Sequence, residues 1–172
     1  MLFKNVPVRY VLLCALFVGA LDILVALVDY FITNQKNPLV IFKYIASAVF
    51  GSSALSGGAA MIFAGLFFHF VIASLFTFFF FVVYANTNLL SKNKWITAVV
   101  YAIFIWLVVN NIVIPLSEAP YLQIPFTAVN KVIKAIFILV FTIGLPLSFL
   151  AHRYYKKQVD ADQKDAPLNF QQ

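Results

Sequence analysis

Apolar residues dominate four stretches of the chain, and polar residues collect between them. The apolar stretches run from about Tyr10 to Phe31, Gly57 to Tyr84, Trp95 to Leu116 and Val129 to His152. The first holds about 22 residues, and a helix rising ~1.5 Å per residue needs about 20 to cross a hydrocarbon layer ~30 Å thick. Each stretch is predicted to be helical, because an isolated strand in lipid leaves its backbone donors and acceptors unpaired.

The segment "NPLVIFKYIASAVFGSSALSGG", residues 37–58, fits none of these spans. Its apolar part, Leu39 to Phe50, is too short to cross and contains Lys43. Pro38 suits a helix start and Gly51-Ser52-Ser53 a stop, so 38–52 reads as a short re-entrant or interfacial helix. The tail "KKQVDADQKDAPLNFQQ" is polar, partly acidic and short of packing residues. The expected fold is therefore an all-α integral membrane protein with four transmembrane helices. Residues 1–152 form a single transmembrane helical domain, and 153–172 a disordered cytoplasmic tail.

Composition sharpens this reading. The chain is 63% hydrophobic and 10% charged, against about 45–50% apolar and 25% charged in soluble domains. That leaves too little polar surface to cover a water-soluble globule. The net charge of +6 does not point to nucleic acid, because the cations sit at the edges of apolar segments, where they anchor helices at lipid headgroups. The lipid bilayer is the expected partner.

The same cations orient the chain. With four spans and a cytoplasmic N-terminus, one side holds Lys4, Arg9, Lys92, Lys94, Arg153, Lys156, Lys157 and Lys164, and the other Lys36, Lys43, Lys131 and Lys134. Eight against four follows the positive-inside rule, and counting 39–50 as a fifth span reverses it. Tyr10, Tyr84, Trp95, Tyr154 and Tyr155 fall at the inner ends and Tyr30 at an outer end, as interfacial aromatics do. Lys4 and Arg9 before "FVGA" resemble a cleavable signal. Apolarity continues to Phe31, however, which favours an uncleaved first span.

Candidate chemistry lies inside the spans. In "GALDILVALVDYF", Ala15, Gly19, Asp22, Ala26 and Asp29 recur at alternating spacings of four and three, so they share one helix face. Small residues in such a stripe let helices approach closely in lipid. Asp22 lies about 18 Å along the axis from Tyr10, near the midplane, where a carboxyl group costs on the order of 2.5–3.5 kcal/mol. Asp29 is about 10 Å further on and reaches the outer interface.

Gly57, Met61, Gly65, His69, Ala73 and Thr77 form a second stripe at steps of four. His69, about 18 Å from Gly57, enters from the opposite side to the depth of Asp22. A His69–Asp22 hydrogen bond would satisfy both groups and could hold or pass a proton; the plainer alternative is an interhelical bond with no turnover. Asn110 and Asn111 lie in the outer half of the third span, with at least one amide facing the bundle. The expected intramembrane polar cluster is thus Asp22, His69, Asn110 and Asn111. Lys134 is placed to pair with Asp29 at the outer interface. Pro146, following Gly144, is expected to kink the fourth span and free the Thr142 carbonyl.

No catalytic pattern, cofactor-binding motif or metal-ligand spacing emerges. His69 and His152 are far apart, "SSALSGG" lacks the lysine of a phosphate loop, and Cys14 has no intrachain partner. An enzyme is disfavoured for want of a nucleophile–base pair.

The first span "GALDIL", the histidine and Phe-rich helix of "FHFVIASLFTFFFFVVY", and "YAIFIWLVVNNIVIPLSEAP" together resemble the YagU-type family of small bacterial inner-membrane proteins. That resemblance covers about residues 10–150. It implies a bacterial inner-membrane location and a link to acid tolerance, and supplies no catalytic residue. The functional expectation is a proton-sensing or proton-conducting membrane protein. A structural or partner-binding subunit and a small-solute transporter working as a homo-oligomer are the alternatives.

Overall fold

The computed structural model describes residues 6–86 and 93–164. These residues are mostly helical, with no strand among them. In chain order the helices are α1 (Val8–Asn34), α2 (Val40–Phe50), the single turn α3 (Ser53–Ser56), α4 (Ala59–Asn86), α5 (Lys94–Val108), α6 (Val129–Leu139) and α7 (Leu145–Lys164). A π segment at Val109–Val113 prolongs α5, and another at Val140–Gly144 joins α6 to α7 without a break.

Among the described residues, four continuous helices are long and apolar enough to cross a membrane: Val8–Asn34, Ala59–Asn86, Lys94–Val113 and Val129–Gln158. Large apolar side chains such as Leu13, Phe63, Phe67 and Ile133 remain exposed on their outer faces. In water such a surface would drive aggregation; facing acyl chains it carries no penalty.

Local chemistry sets the helix ends. Asn93 caps α5, its side-chain oxygen accepting from the backbone N–H groups of Trp95 at 3.0 Å and Ile96 at 3.3 Å. Helix α1 closes on Gln35, whose left-handed backbone (φ 53°) directs its N–H to the Phe31 carbonyl. Helix α2 closes on Gly51 at φ 64°, a conformation that favours glycine.

The bundle has a packed half and a hollow half. Where α1 begins and α4 ends, aromatic rings fill the centre. Tyr84 stacks on Tyr155 with centroids 5.4 Å apart, and Phe80 meets Tyr101 edge-on at 4.7 Å. At the same end Tyr10 contacts Tyr154, and Lys94 lies over the Phe149 ring. The cavity described below occupies the other half.

Helix α2 packs against the first turns of α4 and contributes Ile45 to the cavity wall. Its Phe42 backbone lies directly on Gly65, where a methyl group would overlap the Phe42 carbonyl. The loop after α5 holds the other end of α2. The Glu118 N–H donates to the Ala48 carbonyl at 3.0 Å, and the Tyr121 hydroxyl donates to Ser47 Oγ at 3.1 Å.

Three sequence expectations change. The expected tail at 153–172 is helical as far as Lys164, because Tyr154 and Tyr155 pack on Tyr10 and Tyr84 and carry α7 past the apolar run. Residues 165–172 lie outside the described part, as do Lys4 and Lys92 of the charge count. The second span starts at Ala59 rather than Gly57. Ahead of Pro146 the chain inserts a π turn, with the Leu145 N–H bonded to the Val140 carbonyl. Gly144 is buried there with Ala98 of α5 so close that a methyl group would strike its carbonyl. Pro115 is likewise preceded by a π turn, closed by Ile114 N–H to Val109 C=O at 2.9 Å.

Candidate functional site: an intramembrane cavity

A cavity of about 280 Å³ lies among α1, α2, α4, α5 and the α6–π–α7 helix. Asp22, His69 and Asn110 line it, with Trp106 and otherwise apolar walls that include Ile45, Ile72, Phe76, Ile105 and Leu139. Three of the four residues expected in a polar cluster therefore share one space.

Asp22 is held by a residue that the sequence reading passed over. The Thr142 hydroxyl lies 2.8 Å from Asp22 Oδ1 and also 3.0 Å from the Ile138 carbonyl oxygen one turn back in its own helix. Thr142 is buried and sits inside the π segment. One hydroxyl proton cannot serve both acceptors at once. With the carboxylate ionised, Thr142 donates to Asp22. With the carboxyl protonated, Asp22 donates to Thr142, which donates to Ile138. The second carboxyl oxygen, Oδ2, has no hydrogen-bond partner among the described residues.

His69 does not bond Asp22, contrary to expectation. Its Nε2 lies 2.8 Å from the Gly19 carbonyl oxygen, three residues before Asp22 on α1. A carbonyl only accepts, so Nε2 carries a proton and donates it. Gly19 makes this contact possible. A methyl group in its place would sit 3.1 Å from the Phe70 ring and 3.2 Å from Ala73 Cβ, where α1 packs tightly on α4. The two small-residue stripes meet here, as their spacing suggested.

The asparagines part company. Asn110 is buried in the π segment and clamps the loop after α5 twice. Its Nδ2 donates to the Ile124 carbonyl and its Oδ1 accepts from the Ile124 N–H, both at 2.8 Å. Asn111 is exposed and donates to the Leu107 carbonyl of its own helix at 3.0 Å. It is not part of the cluster: neighbouring helical residues diverge by about 100°, so seating Asn110 inward turns Asn111 out.

No protein-family profile, curated protein or solved structure matches the chain. What can be said of its chemistry comes from the cavity and its surroundings.

Away from the cavity, Lys134 Nζ lies 2.6 Å from Asp29 Oδ1 and 3.5 Å from Thr33 Oγ1 on the half-exposed rim between α1 and α6. Among the described residues no group of three or more His, Cys, Asp or Glu side chains is placed to hold a metal ion. Two buried polar atoms, Thr77 Oγ1 and Trp106 Nε1, lack a hydrogen-bond partner among the described residues. The Tyr101 hydroxyl, by contrast, donates to the Phe76 carbonyl and ties α5 to α4.

Thr142 carried one readable signal. It precedes Pro146 by four residues in "TIGLPLS", where the proline leaves a carbonyl unpaired and polar side chains gather.

Proposed function

We propose that this multi-pass membrane protein resides in the bacterial inner membrane with both termini cytoplasmic, and responds to protons through Asp22. The observation that carries the reading is the Asp22–Thr142–Ile138 arrangement. A single hydroxyl stands between a carboxyl group and a backbone carbonyl, and its proton follows the charge of Asp22. The responsive element is the π turn on which Thr142 sits. Ionised Asp22 draws the hydroxyl away from Ile138, whereas protonated Asp22 returns it to its own helix. His69 is the other ionisable side chain on the wall of the same cavity. The orientation is supported by the cation count, and the membrane by the resemblance to the YagU-type family.

Proton flux into vesicles after an acid jump tests this directly. Asp22→Asn, which preserves shape and hydrogen bonding to Thr142, is expected to abolish the pH-dependent part of the flux, and His69→Gln to reduce it. Wild-type flux in a folded Asp22→Asn/His69→Gln double variant rules the reading out.

One observation favours a second reading, a structural or partner-binding subunit. The bonds of Asn110 and His69 fasten a loop and a helix rather than face a ligand. On that reading the same variants lower stability and leave flux unchanged.

A further inference from the structure

We infer that the cavity binds a small organic monocation with an apolar body, such as a protonated aryl-alkyl amine, through the Asp22 carboxylate. The inference shares the cavity with the proton-responsive reading but does not depend on proton movement.

Three features select this ligand class. First, Asp22 is on the cavity wall with one carboxyl oxygen bonded to Thr142 and the other unpartnered among the described residues. In apolar surroundings such an oxygen calls for a donor carrying positive charge. Second, among the described residues no protein cation supplies one. Lys134 is taken by Asp29, and the Lys43 ammonium lies 3.5 Å from the Leu55 carbonyl. The face of α5 toward the cavity offers Trp106 and Asn110, and the α6–π–α7 helix offers Thr142 beside it. Among the described residues, His69 is the other titratable group on the wall, and its fixed N–H is spent on Gly19. Third, the remaining wall is apolar and aromatic. Phe76 and Trp106 provide ring surface for a cation, and the isoleucines a place for hydrocarbon. At about 280 Å³ the space is near the lower end of small-molecule pockets, ~300–1,000 Å³. That suits a ligand of one ring and a short chain, and excludes a lipid or a large dye.

An anion is disfavoured by the same carboxylate. A metal ion is disfavoured because Asp22 and His69 are the only His, Cys, Asp or Glu residues on the wall among those described.

The protein carries its own reporter. It has two tryptophans, exposed Trp95 and cavity-lining Trp106; Trp95→Phe leaves Trp106 alone. The fluorescence of this variant in detergent or nanodiscs is titrated with phenethylamine, neutral 2-phenylethanol and phenylacetate. Saturable quenching is expected with the amine, with the alcohol weaker by about tenfold or more and the anion inactive. This comparison needs no change at the site, and the alcohol controls for partition into the apolar phase.

Adding Asp22→Asn should bring the amine down to the level of the alcohol. In the protein with Asp22 intact, amine affinity should fall as pH is lowered, because protons and the ammonium compete for the carboxylate. Equal binding of amine and alcohol, or unchanged amine binding in folded Asp22→Asn, overturns the inference. So does the absence of saturable quenching. Vesicle flux that still depends on Asp22 would then leave the proton-responsive reading standing.

Discussion

Asp22 is a carboxyl group well inside α1 with one hydrogen-bond donor, Thr142, among the described residues. A midplane carboxyl group carries a penalty of about 2.5–3.5 kcal/mol on insertion scales, so losing that donor should be felt. Thr142→Val, which keeps the shape of the side chain, is expected to lower unfolding free energy in detergent by about 1–3 kcal/mol. Thr142→Ser should recover most of that loss, and a serine variant no better than valine would assign the effect to packing. His69→Phe keeps a ring against Gly19 but removes the N–H, and should cost about 0.6–2 kcal/mol. Of the two residues under test, His69 could be placed in advance but not its partner, and Thr142 was signalled only by its spacing from Pro146. The Asp22 stripe and the matching depth of His69 are visible as spacing. The acceptor for His69 is a backbone carbonyl, which no residue type announces. Thr142 is separated from Asp22 by 120 positions, and its meeting with Asp22 depends on how the last span rotates.

Among the elements, the long helices were legible because lipid permits the backbone little else; the ends of the first three shifted by one to three residues, whereas the last runs twelve residues past His152 to Lys164. Helix α2 was legible as a short helix, but its seat was not, although Gly65 already stood in the small-residue stripe. A substitution pair isolates that seat. Gly65→Ala drives a methyl group into the Phe42 carbonyl, whereas a methyl group at Gly58 meets nothing within 4 Å. The first is expected to destabilise by about 1–3 kcal/mol or more through displacement of α2, and the second to be near neutral. Thermal unfolding of the two variants side by side checks this. Near-equal midpoints would mean that α2 is not anchored at Gly65. The π turns were not legible: a proline in a span predicts disturbance, but the form it takes is set by contacts such as Gly144 on Ala98.

At the scale of the whole molecule, the ion pair on the rim matters less than its short distance suggests. Lys134 and Asp29 keep 48% and 37% of their side-chain surface exposed, and pairs in that setting are worth about 0–1 kcal/mol. Lys134→Gln should therefore change stability by less than ~1 kcal/mol, read by the same unfolding assay in low and high salt. The proposed orientation has its own check. In a Cys14→Ala background, Lys36→Cys should react with an impermeant maleimide from outside intact cells, and Lys157→Cys only after lysis.

The π turn at Val140–Gly144 also works as a phase shift along the last span. It adds one residue to the helix path, and each residue advances the face by about 100°. Before the turn, Ala135 and Leu139 look into the cavity; beyond it, Leu147, Ala151 and Tyr155 are buried in the packed half. Deleting one residue from the turn would put these two faces out of step by that angle, so the hollow and the packed halves could not both keep their walls.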